Sequence, residues 1–435
     1  MSELTGACLE KPEVSVGFIP LTDCAPLVVA KEKGLFEKHG LRVSLSKETS
    51  WANIRDKVAL GILDGAQMLA PMVLAMNCGV GPVRKAMVTA LNLDLNGNAI
   101  TVSIALYDEM CQLAPEQAAC PATSALALAQ VVQARRVAGR DPLVLATVFP
   151  TATHTYELRY WMASAGIDPD RDVRLVVIPP PQMPSRLSRG EIDGYCVGEP
   201  WNASAVEAGI GRTLITKYEL WNNSPEKVLG VTHEWAEQHP GTHRALVMAL
   251  LEAAQWLDVP AHRGEAAELL ACAPYVQAPK AIVEMPMRGT YRYGLHEPAR
   301  SHPDFNVFYR YAASFPWRSH AVWFLTQMVR WGQLALPVDF QAVARAVYRC
   351  DIFRECASQL GLAVPNVDHK TEGSHPAGWT LPCDTGTLEM GPDAFVDGRG
   401  FDPHDPMGYL AGFGIAPEGT AARVVPLRSR ERKQS

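Results

Sequence analysis

Pro142-Leu-Val-Leu-Ala-Thr-Val-Phe-Pro150 opens the stretch that decides the fold, and Tyr195-Cys-Val-Gly-Glu-Pro-Trp201 closes it. The apolar run Val144 to Phe149 reads as a buried strand. Thr151-Ala-Thr-His-Thr155 is a polar loop with capping residues, and Tyr156 to Ala165 carries helical spacing up to Gly166. Val173 to Ile178 is a second strand, followed by Pro179-Pro-Pro181 and a short helix; Gly190-Glu-Ile-Asp-Gly194 then turns into a third strand. The same plan stands in the first quarter of the chain. Val16-Gly-Phe-Ile-Pro20 is a strand, Leu21 to Ala25 a capping loop, Pro26 to His39 a helix stopped by Gly40, and Val43 to Ser46 a strand. Ser50 caps a short helix from Trp51 to Leu60, and Gly61-Ile-Leu-Asp-Gly65 turns into Ala66 to Pro71. The Gly-x-x-Asp-Gly turn reaches its proline at the same distance in both copies, 61 to 71 and 190 to 200. One shared turn means little, but one shared order of strands, helices and turns implies a duplicated α/β unit.

A chain of 435 residues leads to an expectation of two or three lobes, with 48% apolar and 20% charged residues as in an ordinary globular protein. The net charge of −6 argues against a surface built for nucleic acid. Ten cysteines without a Cys-x-x-Cys suggest neither a zinc site nor a disulfide framework, and fit a reducing compartment better than an oxidising one. Met1 to Glu13 has no basic start with an apolar run behind it, and Leu4-Thr-Gly-Ala-Cys8 resembles a lipoprotein cleavage site only faintly. No run is long and apolar enough to span a membrane. A cytoplasmic location is expected, with a periplasmic or anchored protein as the alternative.

From these elements the expected organisation is a first lobe over 14–103, a helical connection over 104–141, a second lobe over 142–218 and a return to the first over 219–290. A C-terminal extension over 291–414 wraps the lobes, with 365–408 as a long loop or wrapping tail, and a basic disordered tail covers 415–435. Pro240 to Leu257 reads as an amphipathic helix, and Phe315 to Trp331 as a helix dense in aromatics. Two α/β lobes joined by crossing segments form a cleft, and ligands bind there where strands end. The loops 20–26, 47–53, 66–72, 96–99, 150–155, 179–182, 198–202 and 222–227 fall at that edge, where helix N-termini favour an anion.

Three of these segments carry a resemblance. Gly17-Phe-Ile-Pro-Leu-Thr-Asp-Cys-Ala-Pro, Ser50-Trp-Ala-Asn-Ile-Arg-Asp-Lys and Asn96-Gly-Asn-Ala-Ile-Thr-Val-Ser resemble the nitrate- and bicarbonate-binding proteins of ABC transporters, the NrtA/CmpA family. The likeness continues through His154, Gly198-Glu-Pro-Trp, Pro225-Glu-Lys-Val-Leu-Gly-Val and Phe315-Pro-Trp-Arg-Ser-His, nearly to Gly414. It implies a periplasmic-binding-protein fold of the second type with a C-terminal extension. Within the family the chain resembles the NasS branch, cytoplasmic nitrate/nitrite sensors that hold and release a NasT-type ANTAR antiterminator; a transporter's binding component is the alternative.

Nitrate is planar, monovalent and only an acceptor, so its site is expected to offer donors and no ionised carboxylate. The resemblance points to Trp51 for an indole N–H, His154 for a ring N–H and Lys227 for the balancing charge. Gly97 and Asn98 are expected to add a backbone N–H and a side-chain amide, with Gln67 and Thr153 as weaker candidates. Donors without a carboxylate would favour nitrate and nitrite over bicarbonate, whose O–H wants an acceptor. No cofactor or metal is implied. Enzyme readings fare poorly. Asp64 and Asp193 are repeat-related turn formers rather than an acid/base pair, and neither a Gly-rich phosphate loop nor a nucleophile elbow is present. Thiamin-pyrimidine synthases share the expected fold, but the clustered cleft histidines such chemistry needs are absent.

Overall fold

The duplicated turn does the same work twice. In the computed structural model, which describes residues 9–415, the Asp64 N–H donates to Ser15 O at 2.9 Å and its carboxylate accepts the Ser15 N–H at 2.9 Å. The Asp193 N–H donates to Val144 O at 2.8 Å and its carboxylate accepts the Val144 N–H at 2.7 Å. Each aspartate thus stitches the turn to the first strand of its own unit, at a sequence separation of 49 in both copies. Both are turn formers, as the sequence implies.

Eleven strands define the two lobes: β1 (Glu13–Phe18), β2 (Arg42–Lys47), β3 (Gly65–Leu69), β4 (Met87–Asn92), β5 (Leu95–Asn96), β6 (Asn98–Ser103), β7 (Leu143–Thr147), β8 (Val173–Val177), β9 (Gly194–Gly198), β10 (Gly211–Thr216) and β11 (Lys227–Thr232). The first sheet has the order β2-β1-β3-β11-β4, and the second, read from the matching edge, β8-β7-β9-β6-β10. In each, the first three strands are parallel and the fourth runs antiparallel to both neighbours. That fourth strand has crossed from the other half: β6 follows β4 out of the first sheet, and β11 follows β10 out of the second. The boundary expected after Ser103 therefore falls earlier, in the crossing segment 93–97, because β6 finds its partners β9 and β10 in the second sheet. The helices expected over 104–141 likewise belong to the second lobe, where Leu106, Met110, Leu128 and Val131 are buried and Trp161 Nε1 donates to Ser124 Oγ at 3.2 Å.

Strand alternation divides the apolar interior. Val14, Val16 and Phe18 of β1 and Leu229 and Val231 of β11 face helices Ala25–Glu32 and Pro240–Leu257 in one core. Val228 and Met68 face the other core, shared with helices Trp51–Ala59, Ala70–Cys78 and Arg318–Arg330. The aromatic helix is core: Ser319 to Arg330 are all buried.

The extension braces the crossings. Asn306–Val307 pairs antiparallel with β5, and Trp221, on the return crossing, stacks near Phe395 at 4.5 Å between ring centroids. The region 365–408 is not one long loop. It holds a hairpin, Trp379–Cys383 against Gly386–Met390, whose Leu381 and Cys383 are buried at alternating positions. Pro382 and the flanking glycines hide that period in the sequence. The tail from 416 onward and the Leu4 to Cys8 segment lie outside the described residues.

Candidate functional site

The crossing topology brings the ends of β1, β3 and β9, the start of β6 and the start of β11 to one place between the lobes. Trp51 is the first residue of its helix, whose N-cap Ser50 accepts the Asn53 N–H at 3.2 Å. His154 lies in the first turn of helix Thr153–Ser164, not in the preceding loop. Lys227 opens β11 and Asn98 opens β6. Lys227, Asn98, Gln67 and His154 are wholly buried, and Trp51 and Thr153 nearly so.

Lys227 Nζ lies 2.8 Å from Asp23 Oδ2, touches Glu226 Oε1, and sits 5.4 Å from the centre of the Trp51 ring. Its backbone N–H donates to Asp94 Oδ1 at 3.0 Å. Glu226 is the hub. Its carboxylate accepts from Asn98 Nδ2 at 2.9 Å, touches the ammonium of Lys217, and lies 3.5 Å from His154 Nδ1. Lys217 also reaches Glu157 Oε1 at 2.8 Å, and Asn98 Nδ2 reaches Glu157 Oε2 at 3.1 Å. Two lysines and one histidine are thus enclosed with Asp23, Asp94, Glu157 and Glu226.

Burial works against every one of these charges, and partners decide the outcome. For Glu226, Lys217 and Lys227 overcome burial and hold the carboxyl far below its usual range. For Lys227, Asp23 and Glu226 overcome it, so the ammonium is held firmly charged. Burial prevails at Asp23 and Glu157, whose carboxyls are raised despite their lysines, and at Asp94, raised further by the neighbouring Asp23. Burial also pushes His154 down to about 3 against the pull of Glu226, so its ring is neutral at physiological pH.

Two buried nitrogens here, Trp51 Nε1 and His154 Nε2, have no hydrogen-bond partner, and neither do the oxygens Asn98 Oδ1 and Asp94 Oδ2. Such buried polar atoms need a partner, and a small polar ligand or an ordered water can supply it. Gly198 packs closely against the same cluster: a Cβ there would stand 3.2 Å from Asn98 Oδ1, 3.4 Å from Leu21 Cδ2 and 3.5 Å from Asp23 Oδ2. Loops of both lobes close over it. The Thr22 N–H donates to Glu199 O at 2.8 Å and Trp201 Nε1 to Pro20 O at 3.1 Å.

Trp51, Asn98, Thr153, His154 and Lys227 are therefore gathered into one buried cluster. Two expectations need correction. Gly97 does not offer its N–H, which donates to Phe305 O at 2.8 Å; the residue serves the crossing, with a φ of +84°. Gln67 is spent at both ends, accepting the Ile19 N–H at 2.9 Å and donating to Asp23, so it orients that carboxylate. The expected absence of an ionised carboxylate also fails, because Lys217 and Lys227 overcome burial and hold Glu226 well below its usual range. Asp23 and Glu226 stand inside the quoted motifs, and Glu157 follows His154 by three residues on the same helix face, so spacing alone pointed to them. Lys217 carries no such signal.

Residues 7–271 match the NMT1-like family. The chain is 40% identical over 412 residues to the nitrate import ATP-binding protein NrtC of Synechocystis sp. strain PCC 6803, covering 94% of this chain and 56% of that one. It is 39% identical over 406 residues to the bicarbonate transport ATP-binding protein CmpC of the same organism, covering 92% and 55%. The chain thus spans a little over half the length of these two relatives. The crystal structure of the periplasmic nitrate-binding protein NrtA from Synechocystis PCC 6803 superposes with a TM-score of 0.81 at 30% identity, covering 94% of this chain and all of that one. Sequence and fold agree across the described cleft and extension: the chain belongs to the NMT1-like family, and within it to the NrtA/CmpA type.

Proposed function

We propose that the chain is a receptor for a small planar oxyanion, nitrate or nitrite, serving as the binding component or binding domain of an ABC-type importer and turning nothing over. The observation that carries this reading is the pair of unpartnered buried groups, Trp51 Nε1 from one lobe and His154 Nε2 from the other, beside the charged Lys227. A monovalent acceptor held between them satisfies both groups and meets a full positive charge. Nitrite presents the same charge and a subset of the same acceptors, so it binds too. Relatives whose names state nitrate import and nitrate binding support the same reading. A cytoplasmic sensor that releases a NasT-type antiterminator has no counterpart in the roles those names state, so the transport role is the better supported of the two.

One observation favours bicarbonate as the competing ligand. Asn98 Oδ1 is an unpartnered acceptor, which an O–H can use and nitrate cannot. Isothermal titration with nitrate, nitrite, bicarbonate and sulfate decides among them. Micromolar or tighter nitrate binding with weaker bicarbonate binding supports the proposal, and selective bicarbonate binding overturns it. Co-purification of an RNA-binding regulator that nitrate releases would restore the sensor role.

A further inference from the structure

Resting on the reading of the cleft as an anion seat, we propose that Glu226 positions His154 so that its imidazole takes up one proton as the anion enters. The ring then stands as an imidazolium between the Glu226 carboxylate and the bound anion.

The geometry leaves few alternatives. His154 Nδ1 lies 3.5 Å from Glu226 Oε1, while Nε2 is buried without a partner. Glu226 is fixed at Oε2 by Asn98 Nδ2 at 2.9 Å and the Lys217 ammonium, while the Lys227 ammonium shares Oε1 with the His154 side. A neutral imidazole owns a single N–H. With a carboxylate at one ring nitrogen and an anion at the other, the neutral ring must bury a lone pair against negative charge. Only the imidazolium donates on both sides. Thr153 Oγ1, 3.4 Å from Nδ1, can serve the neutral ring before the anion arrives.

The charges around the ring set the size of the effect. Glu226 favours the imidazolium, whereas Lys227 at the head of β11 and Lys217 on its short helix oppose it. Glu157 on the His154 helix, Asp23 on the turn after β1, Asp94 on the crossing and Cys196 on β9 complete the titratable groups of the cluster. Without an anion, burial keeps the ring neutral down to about pH 3. A unit negative charge at hydrogen-bond distance raises a buried group by on the order of four pKa units at an effective dielectric of about 20. A bound anion therefore raises the ring's pKa above its unliganded position. Because the bound pKa lies above the free one, the proton comes from solvent on binding and returns on release. Affinity falls as pH rises between the two pKa values and levels off above the higher one.

The test is titration of nitrate into the full chain at pH 6 in buffers of different ionisation enthalpy, with the dissociation constant followed from pH 5 to 8.5. The expected result is close to one proton taken up per nitrate, with affinity falling by about tenfold per pH unit before a plateau. His154→Gln keeps a donor and cannot titrate, so it is expected to bind nitrate with no proton uptake and a flat pH profile. Glu226→Gln is expected to lower the proton count; a merely structural role would weaken binding equally at every pH and leave the count unchanged. Nitrate binding by the native chain without proton uptake overturns the proposal, and so does a full proton taken up by His154→Gln, which would make a carboxylate the acceptor. If neither variant folds, the native proton count still decides. Failure to bind any oxyanion at any pH removes the anion seat itself, and is distinguishable from binding without a proton.

Discussion

Lys227 is held by Asp23, Glu226 and the Trp51 ring at once, so its loss has two separable consequences. Lys227→Met removes a charged donor from the anion, which costs about 1.5–3 kcal/mol and weakens nitrate about tenfold or more. It also strands the buried Asp23 carboxyl and leaves Glu226 with Lys217 as its remaining ammonium, so the melting temperature falls as expected for a broken buried pair, on the order of 3–5 kcal/mol. Calorimetric titration with thermal unfolding checks both, and unchanged nitrate affinity would remove Lys227 from the site. Trp51→Phe is the cleaner probe. The ring over the ammonium survives while the indole N–H, bonded to nothing in the protein, is lost. Affinity is expected to fall severalfold, by about 0.5–1.5 kcal/mol, with stability nearly unchanged; equal losses in both would make Trp51 a packing residue. At this scale the sequence disclosed residue types but not how their bonds are used. Trp51, His154 and Lys227 were legible because they sit inside motifs. The diversion of the Gly97 N–H to Phe305 and of Gln67 to Asp23 depends on contacts across more than forty residues, which no local pattern encodes.

The turns are where local pattern and tertiary structure agree. The Asp193 carboxylate accepts the Val144 N–H at the head of its own first strand, whereas the Asp64 carboxylate adds Trp235 Nε1 at 2.9 Å and the ammonium of Lys11 to the same duty. Asp193→Ala is expected to destabilise by about 1–3 kcal/mol through one buried strand N–H left unmet, and Asp64→Ala by more, because it also orphans a buried indole. Urea unfolding of the two variants tests the order; a costlier Asp193→Ala would mean the repeats are not equivalent in function. The duplication itself was legible for the same reason, since strand, turn and cap signals are short-range. The exchange of β6 and β11 between sheets was not. A strand's sequence states that it is buried on both faces, as Ala99, Ile100 and Val102 are, but not which sheet buries it.

At the scale of the molecule, the two lobes are joined by crossings that the extension braces, and their loops meet over the cleft. Trp201 Nε1 to Pro20 O and Thr22 N–H to Glu199 O are contacts between lobes, and neither involves the residues assigned to the anion. In a receptor whose lobes open to admit the proposed anion, such bonds bias the equilibrium toward the closed form without touching the ligand. Trp201→Phe removes one of them and keeps most of the ring's packing. A net hydrogen bond contributes about 1 kcal/mol, which shifts that equilibrium by roughly fivefold toward the open form. The apparent nitrate affinity then falls by at most the same factor, because the intrinsic affinity of the closed site is unaltered and only its population drops. Small-angle scattering should show a larger radius of gyration for the unliganded variant than for the native chain, and equal radii once nitrate saturates both. An affinity loss with no change in the unliganded radius would place Trp201 in the binding site itself. No change in either quantity would mean the lobes are held together by the braced crossings rather than by their closing loops.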